Sequence, residues 1–133
     1  MYRLLLLILL SSLASQPGPV SAQAPPSSVY VNISPDFVTN YDEGARLKYL
    51  KAAVSLKVDG DSGNMVRHHL ASIKNNLIIL FSSQAEENLT STVGRETLRR
   101  EALDEVRRVL ATLERGGEEK IQDLYFTNFI VQQ

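Results

Sequence analysis

The stretch Arg46–Asp61, RLKYLKAAVSLKVDGD, admits two readings, and the choice between them decides the fold. Leu50, Ala52, Val54, Leu56 and Val58 alternate with Lys51, Ser55 and Lys57, the period of a half-buried strand. Leu47, Leu50, Val54 and Val58 also fit the spacing of a helix face. Five successive alternate positions match the strand template, and Asp59-Gly60 supplies the turn signal that ends it. A strand is therefore expected. Leu47 and Tyr49 lie in the other phase, which a bulge or a second covered face would accommodate.

Upstream, VYVNISP places Val29, Val31 and Ile33 in alternation with Tyr30, Asn32 and Ser34, a second half-buried strand. It is expected to end at Pro35, which cannot donate to a ladder. A turn at Asp42 to Gly44 then leads into the stretch above. Downstream, the period changes at Asn64. Met65, Leu70, Ile73, Leu77, Leu80 and Phe81 recur at helical steps with Arg67, His68, Lys74 and Asn75 between them, and Asp61, Ser62 or Asn64 serves as cap. Ile78 and Ile79 widen the apolar face, so the end of this helix should be deeply buried.

A polar break, SSQAEENL, separates this helix from a second that begins near Thr90 to Thr92. Its stripe is Leu98, Ala102, Val106, Leu110 and Leu113, joined by Leu103 and Val109. Glu96 with Arg100, Arg100 with Asp104, and Asp104 with Arg108 stand one helical turn apart. Gly116-Gly117 ends it. The closing KIQDLYFTNFIVQQ reads as a strand with two apolar sets, Tyr125, Phe129 and Val131 with Thr127, and Phe126 and Ile130 with Asn128. Such a strand is expected to be central or covered on both sides. The order β-β-α-α-β implies an α+β domain, two helices packed on a small, mainly antiparallel sheet.

The chain opens MYRLLLLILLSSLASQPGPVSAQAPP. The apolar run Leu4 to Leu10, extended at best through Ala14, reaches roughly half of a ~30 Å hydrocarbon core as a helix. Gln16, Pro17, Gly18 and Pro19 follow, then the small-residue pattern Val20-Ser21-Ala22 before Gln23. Residues 1–22 are therefore read as a signal peptide cleaved between Ala22 and Gln23, with an uncleaved anchor as the alternative. Residues 23–28 form a flexible Pro- and Ser-containing leader, and residues 29–133 a single domain.

Removing residues 1–22 takes away Arg3 alone among the charged side chains, so the remainder is slightly acidic and unlike a nucleic-acid binder. The chain has no cysteine, which removes thiol catalysis, thiolate metal sites and a lipoprotein anchor. His68-His69 point about 100° apart on a helix and cannot chelate as an i, i+4 pair would. DGDSGN, residues 59–64, begins like a calcium loop, but its twelfth position is Leu70 where a bidentate Glu is needed. No serine lies in a G-x-S-x-G elbow, and no Gly-rich phosphate loop is present. No catalytic, cofactor-binding or metal residue is assigned, and nothing requires an enzyme. Lys74, Arg99, Arg100 and Arg107 lie off the apolar stripes and are candidates for a partner-facing surface. The interspersed Glu96, Glu101, Asp104 and Glu105 offer the plainer reading of a salt-bridged solvated face.

Five segments in order, YVNISPDFVTNY, RLKYLKAAVSLKV, NNLIILFSSQ, TVGRETLRREALDEV and LYFTNFIVQ, together resemble the flagellar basal-body-associated FliL family. The likeness covers about Val29 to Gln133. It implies a periplasmic domain of the stomatin and prohibitin type, a homo-oligomeric ring near the flagellar stator, contact with stator units and basal-body components, and a non-enzymatic role in motility or swarming. Typical members carry a full transmembrane helix, whereas this chain shows a short apolar run and a cleavage pattern. The resemblance thus leaves two readings: a motor-associated protein at the inner membrane, or a soluble periplasmic binding module with a non-flagellar envelope partner.

Overall fold

In the computed structural model, which describes residues 17–20, 27–41 and 47–133, the ambiguous stretch is a strand, β2 (Lys48–Asp59). Leu50, Ala52, Val54, Leu56 and Val58 are all 2% exposed or less, so the alternating set is the core face. Leu47 and Tyr49 do not meet a second cover: they are 72% and 38% exposed. Both neighbours of β2 are antiparallel to it. β1 (Ser28–Tyr41) pairs on one side and β3 (Ile121–Gln132) on the other, giving the sheet order β1-β2-β3.

The flanking strands depart from the expectations in instructive ways. β1 does not end at Pro35. It continues to Tyr41 after an irregularity between Ile33 and Phe37, which lets the chain bulge around the proline and resume pairing at Phe37 opposite Ala52. β3 is an edge strand, not a central one, because only β2 pairs with it. A register shift between the Val54–Phe126 and Ala53–Asn128 pairs re-sorts its side chains. Phe126 now shares the core face with Phe129 and Val131, while Tyr125 and Ile130 share the outer face. One inserted residue exchanged half of each predicted set.

The helices all cover one face of the sheet. After a 3-10 turn at Gly60–Ser62 come α1 (Gly63–His68) and α2 (Leu70–Ser82), then α3 (Glu86–Thr90) and α4 (Thr92–Leu113). The order is thus β-β-α-α-α-α-β. The single helix expected from Asn64 breaks at His69, whose N–H is bonded to the carbonyls of Met65 and Val66, a tightened turn that ends α1 before α2 begins. Ser62 occupies the N-cap position of α1 but makes no side-chain cap bond.

The α4 start near Thr92 agrees with the sequence reading, and its local chemistry is clear. Ser91 Oγ accepts the Gly94 N–H at 2.9 Å, supplying a partner for one otherwise orphaned helix-start donor. A Cβ at Gly94 would stand 2.6 Å from the Cα of Asn88, so only glycine lets α4 begin this close to α3. Beyond the helix end, Gly116 takes a left-handed φ of 70°.

Between the layers lies one apolar core. Phe81 of α2 meets Phe37 of β1 edge-on at 5.2 Å and Phe126 of β3 at 5.9 Å. Leu98, Ala102, Val106 and Leu110 of α4 are at most 1% exposed against the same core. The signal peptide, the Ala22–Gln23 junction, most of the leader and the turn at 42–44 lie outside the described residues. Among the described residues, no helix is long and apolar enough to cross a membrane.

Candidate functional site

The cations chosen from the sequence are distributed over the two edges of the sheet, and of the four only Arg100 is exposed. Lys74 of α2 donates to the Ser34 carbonyl at 3.0 Å and the Pro35 carbonyl at 3.4 Å, and stands 6.0 Å from the centre of the Phe37 ring. It therefore sits on the β1 irregularity. Arg107 of α4 donates to the Ile121 carbonyl at 3.0 and 3.2 Å and to the Gln122 carbonyl at 3.3 Å. Arg99, two helical turns earlier, reaches the Leu124 carbonyl at 3.0 Å and the Asp123 carboxylate at 2.6 Å. Arg100 points outward, its side chain 72% exposed, with its Nε 3.0 Å from Glu96.

These contacts divide the four residues by what they do. Arg99 and Arg107 donate to backbone carbonyls in the first residues of β3, which covers the beginning of an otherwise open strand edge. Glu96 holds Arg99 in place with two bonds of 2.8 Å. Hydrogen bonding from Arg99, against a desolvation cost and with help from Arg100, holds the Glu96 carboxyl down to about 2. Burial pushes the Asp123 carboxyl up, but bonds from the Leu124 amide, the Tyr125 hydroxyl and Arg99 outweigh it and hold the group below the usual aspartate range. The Tyr125 hydroxyl is raised in turn by its bond to Asp123. The cluster is a fixed ionic clamp between α4 and β3.

Sequence reasoning missed a different surface. Tyr30, Val38, Tyr49, Tyr125 and Ile130 all lie on the sheet face away from the helices, each at least 38% exposed. The Tyr30 and Tyr125 rings approach to 6.3 Å across β2, and Ser55 between them is buried at 4%. Val38, Tyr49, Lys51, Ile130 and Gln132 surround a shallow depression of about 390 Å³ at the other end. The signal was present as apolar residues in the polar phase of all three strands. In β2 that signal admits a bulge or a second covered face, and in β3 a central strand or one covered on both sides.

The two histidine rings meet edge-on, their centroids 4.9 Å apart. His69 Nε2 lies 2.7 Å from Glu114 at the end of α4, a tertiary contact that joins the α1–α2 break to the α4 terminus. Asp59, the first residue of the calcium-like stretch, faces Lys120 at 3.6 Å. Among the described residues, no three His, Cys, Asp or Glu side chains gather as a metal set. What the arrangement offers chemically is charge, an apolar sheet face and a strand edge.

The model of the family described as flagellar basal body-associated protein FliL matches residues 30–132, from the third position of β1 to the end of β3. The chain belongs to the FliL family. It is therefore a flagellar basal body-associated protein, in a family of non-catalytic flagellar accessory proteins. No individually curated protein matches it. The FliL match takes in all three strands and all four helices, so the ionic clamp and the open sheet face both belong to the family domain.

Proposed function

We propose that this FliL domain works in the periplasm by protein contacts beside the flagellar stator, supporting motility or swarming as part of a homo-oligomeric ring. The observation that carries the reading is the family match over residues 30–132. The exposed apolar sheet face is in keeping with a protein that acts by contact, since such patches mark interaction surfaces. Export is assigned to residues 1–22, with Gln23 as the new N-terminus, and attachment at the inner membrane is then made through the folded domain. Lys74, Arg99, Arg100 and Arg107 remain the proposed partner-side cations, with Arg100 the one whose side chain is presented to solvent.

Deletion of the chain should reduce swimming or swarming, and in-cell crosslinking should recover stator or basal-body components. Normal motility with no such association would instead favour the reading as a periplasmic binding module with a non-flagellar envelope partner. Fractionation with N-terminal sequencing of the mature protein decides export and cleavage together.

A further inference from the structure

The side-chain cover on the free edge of β3 is incomplete. Arg107 and Arg99 cap the carbonyls of Ile121, Gln122 and Leu124, and the Leu124 N–H is taken by Asp123 at 2.8 Å. Among the described residues, hydrogen bonds from side chains onto this strand then stop, and resume only at the Gln132 carbonyl, which accepts the Tyr41 hydroxyl at 3.5 Å. Alternate residues of an edge strand direct their N–H and C=O groups away from the sheet, so Tyr125–Val131 presents a row of unpaired donors and acceptors.

Beyond the single inserted residue near Thr127, the devices that normally close such an edge, charge and proline, are missing there. Leu124–Gln133, LYFTNFIVQQ, contains no charged residue and no proline. β1, by contrast, carries Pro35 and Asp36 at its irregularity and Lys74 over it. Beside the open half of β3 stands Arg95, exposed in the first turn of α4, with its guanidinium carbon 6.0 Å from the centre of the Phe129 ring. Among the described residues no carboxylate forms an ion pair with it. Its neighbours Arg99 and Arg100 share Glu96.

We propose that Tyr125–Gln132 is a docking edge for an extended, carboxylate-bearing peptide segment of another protein, which adds to the sheet as a fourth strand and places its acidic side chain against Arg95. Main-chain hydrogen bonds supply the attachment, and the alternating Phe129 and Val131 on one face with Tyr125 and Ile130 on the other supply side-chain contacts. A second copy of this chain fits less well. Antiparallel pairing of two Tyr125–Gln132 segments centres near Asn128 and Phe129, and brings both Arg95 side chains to one junction with like charge. The inference rests on the edge and Arg95, and its test involves no motor component, so it stands or falls apart from the motility reading.

The test uses a fluorescent synthetic octapeptide of alternating valine and threonine with one central glutamate, its counterpart with lysine, and an N-methylated form of the first. Titrated with the purified chain, the glutamate peptide is expected to bind about threefold more tightly than the lysine peptide, the size of an exposed ion pair. Arg95→Glu should reverse that order, and N-methylation should abolish binding. Amide exchange should slow in Tyr125–Val131 and not in β1. Equal binding of the N-methylated peptide, protection on β1, or no binding of either peptide would overturn the proposal. So would concentration-dependent protection of Tyr125–Val131 in the chain alone with dimer formation, since that assigns the edge to a second copy.

Discussion

The two outer strands of this sheet face the same problem and meet it differently. β1 is protected by its own backbone: an irregularity between Ile33 and Phe37, a proline without a donor, and helix α2 alongside. β3 has irregularities of its own near Gln122 and Thr127 but no proline, and the side chains that cover it, Arg99 and Arg107 of α4, do so only over Ile121–Leu124. A backbone irregularity is built into the strand and survives single substitutions elsewhere. A side-chain clamp is local and removable. The β1 edge is therefore closed by construction, while the β3 edge is closed in one half and open in the other.

The largest expected effect removes what the two edges share. Phe81→Ala deletes the ring that touches both Phe37 and Phe126, and should cost about 3–5 kcal/mol in urea unfolding, loosening β1 and β3 together. If exchange rose only on one strand, the shared core would not be the common support. Gly94→Ala should act on the β3 side alone. Its new Cβ meets the Asn88 backbone at 2.6 Å, α4 is pushed off α3, and a loss of about 1–3 kcal/mol is expected.

Arg99→Ala tests the clamp itself. It leaves the Leu124 carbonyl without its Arg99 donor and the Asp123 carboxylate without its cation, and about 1–2 kcal/mol is expected. The pH dependence has a definite sign. Glu96 is held to about 2 against an ordinary 4.5, and Asp123 is also lowered, so their stabilisation is complete above the ordinary carboxylate range and is lost as pH falls toward 2. The gap between the parent and Arg99→Ala should therefore shrink from about pH 6 to about pH 3 in urea midpoints. A gap that stays constant would mean the clamp is not ionic. Lys74→Ala should give the smallest change, below about 0.5 kcal/mol with unchanged β1 exchange, because the backbone irregularity remains.

How much of this was legible in the sequence differs strand by strand. β2 was readable because its alternation is unbroken over Leu50–Val58 and both neighbours pair along it. β1 was cut short because Pro35 is a strong stop signal, and a strand that bulges past its proline looks in one sequence like a strand that ends there. In β3 the inserted residue near Thr127 exchanged the faces of the following residues, and no composition cue marks it. The open outer face then passed for a buried one, since apolar residues in both phases also describe a central strand.

The helical cations show the same limit. Lys74, Arg99 and Arg107 were correctly placed off the apolar stripes, yet what lies beside a stripe depends on which strand edge the helix overhangs. Arg99 reaches Leu124 and Arg107 reaches Ile121 across the α4–β3 connection, contacts that no local spacing encodes. The break at His69 was equally silent, because its partner Glu114 is 45 residues away. Family membership was legible, since it rests on the succession of segments rather than on any one contact.

The central claim is that α4 covers the first half of the β3 edge and leaves the second half open. Residue-resolved amide hydrogen exchange on the free chain measures this directly. The Leu124 amide donates to the Asp123 carboxylate that Arg99 holds in place, so it should be protected in the parent and exchange faster in Arg99→Ala, while outward-facing amides within Tyr125–Val131 exchange rapidly in both. Uniform protection along Ile121–Gln132, unaffected by Arg99→Ala, would contradict it.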